Sequence, residues 1–175
     1  MKSISKIMVA VVLLLSVVVS NAKNKNVTTT QENNPLQSVF NAYFEVKDAL
    51  VKTDSNIASV KATALLTAIN DVKMDKLDKD AHTVWMKVVS SLKEDAEHIA
   101  ATIDVKQQRE NFITLSKNIY DVIKVSKLAA PTYYQFCPMA NGGKGANWLS
   151  KENTVKNPYF GNRMLTCGKI VETIK

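Results

Sequence analysis

Glycine and proline are scarce in this sequence, which has five glycines and four prolines among 175 residues. Both residue types concentrate in tight turns, so their scarcity disfavours a β-rich fold of many short strands and favours long helices. A single domain is expected, because domains usually contain about 100–150 residues.

Histidine and cysteine are also scarce, with two of each. Catalysis would need a pair such as Cys137 as nucleophile and His82 as base, but nothing in the sequence orients that base and no oxyanion motif is present. The glycines around residue 143 lack the Gly-Lys-Ser/Thr ending of a phosphate-binding loop. The sequence therefore does not predict an enzyme.

No strongly charged stripe occurs, although the net charge is +7. The lysines are spread singly among acidic residues, without a run of lysine and arginine interleaved with aromatic residues. Nucleic-acid binding is therefore not expected.

The first 22 residues have the pattern of a signal peptide. Two lysines precede an apolar run at residues 7–19, and Ser20-Asn21-Ala22 places small residues before a cut after Ala22. The apolar run is too short to span a bilayer comfortably. We expect an exported protein, periplasmic or secreted, with no membrane span after cleavage.

Residues 23–34 are polar and predict a disordered linker. Residues 35–175 predict a single domain of the all-α class. Within residues 35–128, four stretches carry apolar residues at spacings of three and four, and their short connections favour an up-down four-helix bundle. Residues 129–175 are rich in aromatic residues and predict a loop-dominated segment, with a short helix or strand, packed on the bundle.

Capping residues mark the expected helix starts. These starts are near Asn34-Pro35, near Asp54 or Ser55, near Asp78 or Asp80, and at Asp104, where Gln107 is spaced for a capping box.

The C-terminal segment contains two short sulfur-bearing stretches, Cys137-Pro138-Met139 and Met164-Leu165-Thr166-Cys167. Each supplies one thiolate and one thioether, which are soft donors that suit Cu(I) and Ag(I). Three interpretations stay open from the residues alone. The four sulfurs hold a soft cation; or the cysteines form a disulfide, as an oxidising compartment favours; or the methionines fill the core and the cysteines have no special role.

His82 and Met86 form a weaker candidate pair. They are four positions apart on the third predicted helix and therefore share one face. A histidine and a methionine can bind copper, whereas the simpler interpretation is a half-buried helix start with a core methionine.

Four stretches of the tail carry a resemblance to a known family: residues 133–140 (YYQFCPMA), 145–150 (GANWLS), 157–161 (NPYFG) and 164–168 (MLTCG). They resemble a bacterial exported family of unknown function, which also occurs fused to the periplasmic adaptors of copper and silver efflux systems. The resemblance covers roughly residues 36–174 and includes the helix that contains Gln108-Arg109-Glu110. It implies heavy-metal handling, with Cys137, Met139, Met164 and Cys167 as metal ligands and His82 and Met86 as weaker candidates.

Together, these observations predict a periplasmic protein that binds Cu(I) or Ag(I), for buffering or for handover to an efflux adaptor. Trp148, Tyr134 and Phe160 are expected to shield the metal. The alternative is a disulfide-stabilised module that binds another envelope protein and holds no metal.

Overall fold

The computed structural model describes residues 34–175. The predicted signal peptide at residues 1–22 and the predicted linker up to residue 33 lie outside the described residues. Within residues 34–175, no helix is both long enough and apolar enough to cross a membrane.

Four helices form the first part of the domain, as predicted. They are α1 (Gln37–Val51), α2 (Ser55–Asn70), α3 (Lys79–Ala100) and α4 (Val105–Ile123). The antiparallel course of α3 and α4 is shown by two side-chain hydrogen bonds, from Asn118 to Ser91 at 3.0 Å and between His98 and Asn111 at 3.3 Å. Each helix turns one apolar face into a shared core, which is the arrangement that the spacing of apolar residues indicates.

Aspartates cap three of the helices, as the sequence predicts. The side chains of Asp54, Asp78 and Asp104 each accept a hydrogen bond from a backbone N–H in the first turn. These bonds satisfy donors that the helix itself leaves without partners, and they fix where α2, α3 and α4 begin.

Two details of the predicted starts are wrong. Asn34 does not cap α1 directly; its Oδ1 accepts from the Leu36 N–H at 2.9 Å, and the helix begins at Gln37, two residues later than Pro35. The predicted capping box at α4 is absent, because the Asp104 N–H donates to the Thr102 hydroxyl at 3.0 Å instead of to Gln107. In both cases a local side-chain turn satisfies the backbone first.

The C-terminal segment contains a three-stranded antiparallel sheet, so the prediction of an all-α chain with a loop-dominated tail is wrong for this part. Strand β1 (Thr132–Cys137) lies in the centre, between β2 (Ala146–Ser150) and β3 (Lys169–Ile174). The sheet is hidden in the sequence because burial does not alternate regularly. An irregularity in the β1–β3 pairing follows Tyr134, so Thr132 and Gln135, three positions apart, are both buried.

The sheet completes the core by packing against α1 and α4. The Tyr43 hydroxyl, fully buried, lies 2.8 Å from the Ser116 hydroxyl of α4 and accepts from the Leu149 N–H of β2 at 3.0 Å. An aromatic row continues from Tyr43 through Phe112 to Tyr159 and Trp148, with successive ring centroids 5.3, 6.0 and 5.9 Å apart. The helices and the tail therefore share one core.

Candidate functional site

The sheet brings the two cysteines together. Cys137 ends the central strand β1, and Cys167 lies two residues before β3; the pairing of Phe136 with Lys169 sets the two stretches side by side. Cys137 is fully buried and Cys167 is half-buried, and both are free thiols. The pairing of β1 with β3 thus brings together two cysteines that are thirty positions apart in the sequence.

The two thiols influence each other. A hydrogen bond between them raises the pKa of the Cys167 thiol, and burial and the charge of Cys137 raise it further. A backbone hydrogen bond from Met139 to the Cys167 sulfur acts in the opposite direction and lowers this pKa. Since the net shift is upward, Cys167 is a protonated thiol at neutral pH, and a metal ion would have to displace its proton.

The methionines lie on the surface, in the same two stretches as these thiols. Met139 is 56% exposed and Met164 is 37% exposed. The Met164 carbonyl accepts from the Cys167 N–H at 3.0 Å, so one turn holds both residues. The Met139 side chain lines a cleft beside α4, whereas Cys167 lines a separate depression with Phe136, Pro138 and Lys169.

His82 and Met86 lie far from the thiols. Both are exposed and lie in the first two turns of α3. Met139 faces the first turns of α4, which follow the end of α3. The 18 residues from His82 to Ala100 span about 27 Å of helix, so these two side chains belong to the other end of the bundle.

Asn157 positions the second sulfur stretch, a role that the sequence did not reveal. This fully buried side chain donates through Nδ2 to the Cys167 carbonyl at 2.8 Å. Its Oδ1 accepts from the backbone N–H groups of Tyr159 and Phe160, at 2.8 and 3.3 Å. The dipeptide Asn157-Pro158 is a recognisable turn signal, but its long-range bond to Cys167 depends on the fold.

The three aromatic residues expected to shield the sulfurs lie in different places. Trp148 is fully buried and packs against the backbone of Gly168, the residue that follows Cys167. The approach is so close that a Cβ added at Gly168 would lie 2.9 Å from the Trp148 ring. Tyr134 stacks on Tyr120 of α4, with ring centroids 3.9 Å apart. Phe160 lines the Met139 cleft. Trp148 is therefore the one of the three that packs next to a cysteine-bearing stretch.

Residues 39–130 match the model of a family described as a protein of unknown function, DUF3347. The chain belongs to this family. The match begins at the third residue of α1, continues through α4 and ends before β1, so the DUF3347 region includes His82 and Met86 and excludes all four tail sulfurs. No curated protein and no solved structure matches the chain.

Proposed function

We propose that this protein binds a monovalent soft metal ion, Cu(I) or Ag(I), through the thiolates of Cys137 and Cys167. The observation that supports the proposal is the adjacency of two free thiols, one fully buried and one half-buried. Thiolates are the protein ligands that Cu(I) prefers. The half-buried sulfur gives an incoming ion access, and the buried sulfur completes a site that water enters poorly.

The charge balance is favourable for such a complex. Two thiolates and one monovalent ion carry a net charge of −1, and Lys169 lines the same depression as Cys167. A positive charge beside the site offsets part of the negative charge of such a complex. Met139 and Met164 would supply thioether sulfur from the surface, where their exposure leaves the side chains free to rotate.

The same exposure suits metal exchange with a partner. An ion held by a half-buried thiolate and surface methionines can be reached by donors of a second protein, whereas a fully enclosed ion cannot. We propose that the protein acts in the periplasm, either as a buffer or by passing the ion to an efflux adaptor.

The test is a Cu(I) competition titration of the reduced protein against a chromophoric Cu(I) chelator. We expect one ion per chain, loss of binding in Cys137→Ser and in Cys167→Ser, and weaker binding in the double variant Met139→Ala with Met164→Ala. His82→Ala with Met86→Ala is the matched control, and its affinity should equal that of wild type. Wild-type affinity in both cysteine variants would refute the proposal.

The adjacency of the thiols also favours a second function, a disulfide-stabilised module that binds another envelope protein. A bond between Cys137 and Cys167 would close a loop of thirty residues and stabilise the fold by about 3–4 kcal/mol in the chain-entropy model. A count of free thiols in the protein as isolated, before and after reduction, separates the two functions. A permanent disulfide in the protein as isolated, with no Cu(I) affinity after reduction, would refute the metal site and favour the module.

A further inference from the structure

A cleft beside the sulfur stretches has an unusual combination of charge and apolar surface. This cleft, which we call the Arg109 cleft, lies between the first turns of α4 and the tail. Its volume is about 600 Å³. Its charged residues are Lys106, Arg109, Glu110 and Arg163. Its apolar wall consists of Val105, Ile113, Met139, Ala140, Tyr159 and Phe160.

Arg109 is a buried cation without an acidic partner. The residue is 7% exposed, and no carboxylate lies within ion-pair distance of it among residues 34–175. Its Nε donates to the Pro158 carbonyl at 2.7 Å, and its Nη2 donates to the Leu50 carbonyl and the Thr53 hydroxyl, each at 3.1 Å. The third nitrogen, Nη1, makes no hydrogen bond within residues 34–175 and is not one of the buried atoms without a partner there, so it is open to solvent. A buried guanidinium usually pairs with a carboxylate or another anion.

The other charges of the cleft do not neutralise Arg109. Glu110 lies 4.0 Å from Lys106, so these two side chains offset each other. Burial is the larger cause that lowers the pKa of Arg109, and the positive charge of the nearby Arg163 lowers it further. Two like charges on one wall repel each other, and an anion between them would remove that repulsion.

We propose that the Arg109 cleft binds a small organic carboxylate with an apolar body. The carboxylate accepts hydrogen bonds from Nη1 of Arg109 and from the guanidinium of Arg163, since guanidinium groups match carboxylates in charge and geometry. The body packs on the wall formed by Ile113, Met139 and Phe160. A few placed polar groups on a mostly apolar wall are typical of small-molecule sites.

Two sources share this chemistry, a free carboxylic acid and the C-terminal residue of a peptide. Calorimetric titration of the purified protein distinguishes them with octanoate and N-acetylphenylalanine as probes. We expect at least one of the two to bind, N-acetylphenylalanine amide not to bind, and acetate to bind at least tenfold more weakly because it lacks the body. Octanoate alone would indicate a free acid, and N-acetylphenylalanine alone a peptide terminus.

The charge requirement is tested with Arg163→Gln, since Arg163 is exposed and its replacement leaves the core intact. We expect a loss of about tenfold in affinity, the size of one hydrogen bond to a charged group. Lys87→Gln is the matched control, because it removes one exposed positive charge from α3, outside the cleft. Equal binding of the acid and the amide, or equal affinities in the two variants, would overturn the proposal.

Discussion

Asn157→Asp is the substitution that most directly tests how the second sulfur stretch is held. The change keeps the size of the side chain and keeps Oδ1, which accepts from the N–H groups of Tyr159 and Phe160. It replaces the Nδ2 donor with an oxygen that faces the Cys167 carbonyl, 2.8 Å away in the native bond. Two acceptors then oppose each other in a fully buried place.

The expected loss of stability follows from these contacts. A buried carbonyl left without its donor costs about 1–3 kcal/mol, and a buried charge adds to that cost. The two retained N–H donors stabilise the carboxylate and offset part of it. We therefore expect the free energy of unfolding to fall by about 2–3 kcal/mol, with a faster reaction of the half-buried Cys167 with a thiol reagent.

Urea unfolding and the rate of thiol modification, both under reducing pre-treatment, give the two measurements. Asn153→Asp is the matched control, because Asn153 is exposed and lies four positions earlier in the same segment. A surface change of this kind shifts stability by at most about 0.5 kcal/mol. If Asn157→Asp behaves like Asn153→Asp in both assays, the assignment of Asn157 as the anchor of Cys167 is wrong.

Three further substitutions test the fold. Tyr43→Phe removes a hydroxyl that bonds to both α4 and β2; it should lower the free energy of unfolding in urea by about 2–3 kcal/mol, while Tyr133→Phe should change it little. Gly161→Ala places a methyl group against the Thr53 hydroxyl at a φ of 55°; calorimetry should show a clearly lower melting temperature, and an unchanged one would contradict this packing. Burial raises the pKa of Asp95 from 3.8 to about 7, because the folded protein favours the protonated carboxyl. The contribution of Asp95 to the free energy of unfolding is therefore fully present below pH 3.8 and is lost as the pH rises through about 7. Urea titrations of Asp95→Asn should lack this pH dependence, and an unchanged pH profile would argue against it.

The helical bundle could be predicted because its signals are local. Apolar residues recur every three or four positions. The starts of α2, α3 and α4 are marked by aspartates whose side chains cap their own helices: Asp54, Asp78 and Asp104. Asn34 shows the limit of such signals. The same residue type can cap a helix or form a turn just before one, and the two outcomes differ by a shift of a few residues.

The sheet and the candidate sites could not be predicted in the same way, since they depend on contacts between distant residues. In β3, Ile174 is the one buried residue, so that strand has no apolar face to recognise. The sequence could name Cys137 and Cys167 by their chemistry, but their adjacency requires the pairing of β1 with β3. Arg109 belongs to the stretch Gln108-Arg109-Glu110, which carries part of the family resemblance. The sequence alone does not show that Arg109 lacks an acidic partner, because that depends on how the tail covers it.

The Tyr43 hydroxyl has a consequence for the order in which the protein assembles. Its donor Leu149 lies 106 positions further along the chain, so the four helices alone offer this buried oxygen only the Ser116 hydroxyl. The second bond to this hydroxyl forms only when β2 packs against α1 and α4. We therefore expect residues 34–130 expressed alone, without the sheet, to be less stable than residues 34–175 and more prone to aggregate.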